Sequence, residues 1–327
     1  MSVPFNQVSG DAQRALEQFS TEFDAALEVA DPTDWSTLGL RNNSTAIKTT
    51  YPVPISAAGY VEEKGDMKLR SLYERSMTMK TKRWTDGVAE FADVLEAPDF
   101  IGWAGEPARI AREAKRHPCT LVAELLEANA QLSFYRDETL GSTDFALGLF
   151  AATHPVNVFD SSLGTFDNDL AAGDIDQDLF ETVFTEFGTR KGANGKPMRL
   201  QPTHLICPPN LYQSARKFLE SDMMRNSVLE GGVGSQKNTN FNTNNLWKGT
   251  VTPVQAYELT ATDKIYFVCA GAAAYPWIVQ DGGTPEEIRF DKDSDFYKTT
   301  LKMGLRYRML MAAAPALPHA IIRVTLS

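Results

Sequence analysis

Carboxylates at alternate positions are the first residues to test for chemistry, because that spacing lines the entry of a calcium loop. Asp174, Asp176 and Asp178 form one such run, and Asp291, Asp293 and Asp295 form another. A calcium loop also needs a glycine at its sixth position for the sharp turn and a bidentate glutamate at its twelfth. The first run offers Leu179 and Thr185 at those places, the second Phe296 and Lys302. Both runs are expected to be helix or turn acids. His204 and Cys207 invite the reading of a nucleophile with its base, but residues three apart on a strand point to opposite faces. His117 and Cys119 flank Pro118, and two donors without further ligands make no metal site. The cluster Gly231-Gly232-Val233-Gly234 lacks the lysine and hydroxyl that hold a phosphate. With only four histidines in the chain, acid–base catalysis has few candidates. The expectation is no catalytic residue, no cofactor and no metal.

Bulk properties are those of an ordinary folded protein. The chain has 327 residues, enough for two or three packed units, with 43% hydrophobic and 23% charged residues. Its net charge of -10 argues against a general nucleic-acid binder, which needs basic surface. Cys119, Cys207 and Cys269 are odd in number and set in apolar surroundings, so all three read as buried thiols rather than a disulfide framework. Residues 1–20 carry neither a basic n-region nor an apolar h-region, and no run approaches the ~18 apolar residues of a membrane span.

The elements follow from periodicity. Residues 11–30 place Phe19 and Phe23 among small and apolar residues at helical spacing, closed by Asp31-Pro32. This helix precedes any convincing core, so it is expected to pack on a neighbouring subunit or to cap its own domain. Residues 48–84 read as a long polar two-stranded projection: Tyr51-Pro52-Val53-Pro54 extended, a charged tip from Gly59 to Gly65, then Met77 and Met79 alternating with polar residues. A helix over about 105–130 contains Pro118, which should kink or split it. Leu179, Phe180, Val183, Phe184 and Phe187 form a helix face behind the Asp174–Asp178 acids. A buried strand, His204–Cys207, precedes a helix opened by Pro208-Pro209. Residues 226–246 read as a surface loop. Leu301 to Met311 alternate apolar odd positions with Lys302, Arg306 and Arg308, the pattern of a long strand with one buried and one basic face.

The order of these parts resembles the major capsid proteins of tailed bacteriophages with the HK97-type fold, and most closely the phage Mu major head subunit family. The matching segments are Tyr60-Val61-Glu62-Glu63-Lys64-Gly65, His117-Pro118-Cys119-Thr120-Leu121-Val122, Phe150 to Asn157 with His154-Pro155, Pro202 to Pro209, and Leu305-Arg306-Tyr307-Arg308. Ala151 and Thr153 stand where that family has acids. The resemblance implies an α+β subunit: an N-terminal arm (1–47), an extended loop (48–84), a peripheral domain (85–172 and 286–327) with a spine helix, and an axial domain (173–285). It implies self-assembly into hexamers and pentamers of an icosahedral shell around double-stranded DNA. The DNA would be touched non-specifically at the inner surface and repelled by the acidic chain. Portal and scaffold or decoration proteins are the expected partners, with no membrane, in a virion capsid assembled in the host bacterial cytoplasm. Expected contacts between subunits are Glu62, Glu63, Lys64 and Lys68 at the projecting tip, Phe19 and Phe23 on the arm helix, and Arg306 and Arg308 on the closing strand. Two alternatives compete: an encapsulin-like nanocompartment shell, and a soluble α/β enzyme with the hairpin as a lid.

Overall fold

The computed structural model describes residues 5–29, 33–52, 76–95, 105–132, 147–156, 161–192, 195–230, 237–271 and 275–327. Helix α1 (Phe5–Glu28) starts ahead of the expected 11–30 span. Asp34 then caps a 3-10 turn at Trp35–Leu38 by accepting from the Ser36 amide, and strand β1 (Leu40–Asn43) follows. Strands β2 (Lys48–Pro52) and β3 (Ser76–Lys80) pair antiparallel, with Thr49 opposite Met79 and Tyr51 opposite Met77. They are the root of the expected projection, and its alternation is visible there: Met79 is buried while Thr78 and Lys80 are exposed. The tip residues Glu62, Glu63, Lys64 and Lys68 lie outside the described residues, as do Phe134 and Tyr135.

Strand β4 (Lys82–Phe91) runs into a single-turn helix, α2 (Ala92–Leu95), and the long helix α3 spans Glu106–Glu127. Pro118 does not split α3, because each half buries its own stripe. Ile110 and Ala111 enter one core; Cys119, Val122, Leu125 and Leu126 enter another. Tertiary packing on both sides of the proline outweighs the lost backbone hydrogen bond. Two short strands, β5 (His154–Pro155) and β6 (Thr165–Phe166), pair with each other, and β7 (Asp169–Ala172) follows. Helix α4 (Gln177–Thr189) is capped by Asp176, which accepts from the Leu179 amide at 2.9 Å, and it buries Leu179, Phe180, Val183 and Phe187. Strand β8 (His204–Cys207) and helix α5 (Pro209–Glu220) match the expected strand-to-helix step.

Residues 223–230 and 237–244 are strands, where composition suggested a loop over 226–246. Strands β9 (Met223–Glu230) and β10 (Lys237–Asn244) form an antiparallel hairpin with Thr239 opposite Val228 and Phe241 opposite Asn226. Backbone pairing builds a ladder whatever the side chains are, so a strand without an apolar face escapes a reading based on periodicity. The chain then adds β11 (Thr252–Gln255), β12 (Lys264–Val268), β13 (Trp277–Asp281), β14 (Glu286–Phe290), helix α6 (Asp295–Thr300), β15 (Lys302–Pro315) and β16 (Ile321–Leu326).

Two sheets organise these parts. In the first, β15 carries β4 along one edge, and β14 followed by β13 along the other, with β1 parallel to β13 beyond. The second has the order β11-β8-β12-β16-β7. β13, before residue 286, pairs with β15, while β16, after it, lies between β12 and β7 in the second sheet. A larger core joins the second sheet, α4, α5, β13 and the C-terminal half of α3. A smaller one joins α1, α2, the N-terminal half of α3 and β15. Among the described residues no helix is long and apolar enough to cross a membrane.

Candidate assembly surfaces

The long strand β15 alternates as its sequence requires. Met303, Leu305 and Tyr307 are buried, and Arg306 is exposed on the opposite face. Arg306 lies 5.5 Å over the Phe290 ring, and Arg308 pairs with Glu286 across to β14. Exposed pairs of this kind contribute about 0–1 kcal/mol, so both arginines remain available to another surface. The expectation for Phe19 and Phe23 is corrected. Both are buried inside the chain, stacked on Tyr307 at 6.3 and 3.7 Å between ring centroids. Ser20 donates to Glu287 at 2.6 Å, and Tyr307 donates to the same oxygen at 3.1 Å. Burial works to raise the Glu287 pKa, but the hydrogen bonds from Ser20, Arg289 and Tyr307 outweigh it and hold the carboxyl below its ordinary range. Lys115 on α3 donates to the Ala26 and Val29 carbonyls, satisfying the end of α1. The arm helix is thus latched to its own domain.

Between β4, α3 and β15 lies a groove of about 380 Å³. Trp84, Ile110 and Met309 line it, and Asp86, Arg109 and Glu113 bring both signs of charge. Trp84 donates to the Met311 carbonyl at 3.1 Å and meets the His117 ring edge-on at 4.3 Å. Burial lowers the His117 pKa, opposed by Glu124 and Glu113. The lining mixes apolar side chains with charges of both signs. No paired nucleophile and base meet there.

The remaining sequence candidates are taken up by structure. Cys119 donates to Asp34 at 3.3 Å, and burial pushes its thiol far up, away from reactivity. His204 shares a hydrogen bond with Thr203, whereas Cys207 is fully buried and points to the Leu205 carbonyl. Cys269 is only half-buried. Asp291 accepts from the Asp293 amide in a turn, and Asp295 pairs with Lys298. No group of three metal-binding side chains comes together among the described residues.

No curated protein matches the sequence. A family model described as phage capsid protein matches residues 107–324, well over half of the chain. The chain belongs to that family. Its fold is the HK97-type capsid fold, an α+β architecture. The capsid of a native GTA particle superposes with a TM-score of 0.52 at 12% identity, covering 91% of both chains. The capsid of the Cyanophage P-SCSP1u superposes with a TM-score of 0.50 at 11% identity, covering 92% of this chain and 91% of that one. The function is that of a major capsid protein, a subunit that forms a shell.

Sequence reasoning missed a buried, hydrogen-bonded arginine in this capsid protein. Arg190, 2% exposed, ends α4 and donates to the carbonyls of His319, Pro318, Ile321 and Asp167. Its guanidinium lies 4.6 Å over Phe187 and 5.1 Å over Phe166. Phe166 in turn stands between His154 and His319, at 5.3 and 4.2 Å. Burial lowers the pKa of Arg190 to about 9, of His154 to about 4 and of His319 to about 3. An arginine at the end of an apolar helix face was the available signal. Nothing local named its carbonyl partners, three of which lie over a hundred residues further on.

Proposed function

We propose that this capsid protein assembles as hexamers and pentamers into the icosahedral head of a tailed bacteriophage, enclosing double-stranded DNA, and that it acts as a builder rather than a catalyst. The observation that carries the reading is the β2–β3 root. Pro52 and Ser76 pair at the two ends of the polar segment 53–75, which is the proposed reach to a neighbouring subunit. Glu62, Glu63, Lys64 and Lys68 are the proposed contacts on that projection, with Arg306 and Arg308 on the exposed face of β15. Many weak identical contacts sum to a stable shell. The first sheet with α3 forms the peripheral domain and the second sheet with α4 and α5 the axial domain, joined by the exchange of β13 and β16.

Within the family, the His117-Pro118 step in α3 and the Pro202–Pro209 step into α5 favour the phage Mu major head subunit type. The net charge of -10 keeps the inner surface from gripping DNA, so the genome contact is non-specific and weak. A portal and a scaffold or decoration protein complete the particle, which assembles in the bacterial cytoplasm. Negative-stain electron microscopy of the full chain, expressed with the neighbouring genes of its cluster, tests this. Uniform icosahedral shells are expected. Small discrete oligomers overturn the reading, and shells filled with a co-purifying enzyme replace it with a nanocompartment.

A further inference from the structure

Leu301 stands in the left-handed region, with φ 59° and ψ 20°, at the C-terminus of α6. Its backbone is tied on both sides: its amide donates to the Tyr297 carbonyl at 2.7 Å, and its carbonyl accepts from Ala92 at 3.2 Å. Glycine or asparagine takes this conformation without strain, whereas leucine does not. The side chain gains nothing in return, because it is 61% exposed and belongs to neither core. A strained backbone and an exposed apolar side chain thus fall on one residue, which neither core of the described residues takes in.

Its surroundings make a patch. Phe91, 47% exposed, pairs across the ladder with Lys302, whose ammonium lies 4.6 Å over the ring. Val94, 42% exposed, follows on α2. Beside them Phe290 packs on Phe296 at 4.8 Å beneath Arg306. Asp93 precedes Val94 on α2, Asp295 pairs with Lys298 on α6, and Lys302 and Arg306 follow on β15. Apolar side chains flanked by charged ones are the anatomy of a protein interface. With both signs present, a second copy can set its acids against these bases. On a chain of net charge -10, a surface rich in cations is also where a second copy approaches with least repulsion.

We infer that the patch centred on Leu301, Phe91 and Val94 is a contact between copies of this chain, with Leu301 its anchor. This rests on the shell reading above and names one surface that the reading requires. The test expresses the full-length chain beside Leu301→Gly and Leu301→Asn, both of which suit the left-handed backbone. Shells are separated by sedimentation and counted by electron microscopy, and the unassembled fraction is melted. At least a tenfold loss of shells is expected in both variants. The unassembled chain should melt at the wild-type temperature or about 1–3 °C higher, because the strain is gone. Shells at wild-type yield overturn the inference, including shells that form normally but lose a second bound protein. A lower melting temperature in both variants also overturns it, since Leu301 is then an internal anchor. If the wild-type chain itself forms no shells, the shell reading fails and takes the inference with it; wild-type shells with indifferent variants sink the inference alone.

Discussion

A buried histidine without a hydrogen-bond partner is stable only while neutral, and His319 is such a residue. Neither ring nitrogen has a partner among the described residues, and Arg190 and His154 lie close enough to oppose its protonation. Burial and these neighbours hold His319 at about 3 and His154 at about 4, against about 6.5 for an unfolded histidine. The sign follows directly. Above pH 6.5 both states hold neutral imidazoles and stability is full. As pH falls below it, the unfolded chain takes up protons that the folded chain refuses, and stability drops by about 1.4 kcal/mol per pH unit per histidine. The loss continues until the folded values near 4 and 3 are reached. Replacing His319 by leucine removes one of the two protons and no hydrogen bond. Thermal melts between pH 6.5 and 4.5 should show a shallower decline for His319→Leu and nearly unchanged stability at pH 7. An identical decline in both proteins would place the titrating groups elsewhere.

At the scale of elements, β15 is the piece on which both edges of the first sheet depend, and its ladder with β4 is unusually tight. A methyl group on Gly304 would lie 2.2 Å from the Val88 carbonyl oxygen, and one on Gly87 would lie 2.3 Å from that of Leu305. These are backbone atoms that cannot swing away. Gly304→Ala should therefore destabilise by roughly 1–3 kcal/mol, the usual cost of overpacking. Gly173→Ala, which meets nothing within 4 Å, should be close to neutral. Equal urea midpoints for the two variants would contradict the close approach of β4 to β15. The same strand shows what was legible in advance. Its alternation marked Met303, Leu305 and Tyr307 as core, and the spacing of Leu179, Phe180, Val183 and Phe187 marked α4, because each pattern is set by burial on one face. What stayed hidden depends on distant partners. Phe19 and Phe23 left open whether their helix packs on a neighbour or caps its own domain, since Tyr307, which covers them, is far along the chain. The exchange of β13 and β16 between sheets leaves no local mark, and neither does the left-handed backbone of Leu301.

For the whole molecule, the proposed division of duties between a projection and a body can be tested, because the register of β2 with β3 marks where the two would be separated. Pro52 lies opposite Ser76, so the two strands end side by side at either end of residues 53–75. Two antiparallel strands in this relation are joined by a two-residue turn such as Asn-Gly. The root is held by more than its own ladder. Asn42 donates to the Tyr51 hydroxyl at 2.7 Å, and Met79 and Tyr51 are buried in the larger core. A chain with residues 53–75 replaced by Asn-Gly should keep the folded body, with a cooperative melt within a few degrees of the parent. Its assembly should fail, because the reach of each subunit over its neighbour is gone while the apolar patch at Leu301 remains. Circular dichroism reports the first and sedimentation the second. Normal shells from the shortened chain would mean that the body's own surfaces suffice to close the particle. Loss of the cooperative melt would mean instead that the projection is part of the subunit's core, and that body and reach cannot be divided at β2 and β3.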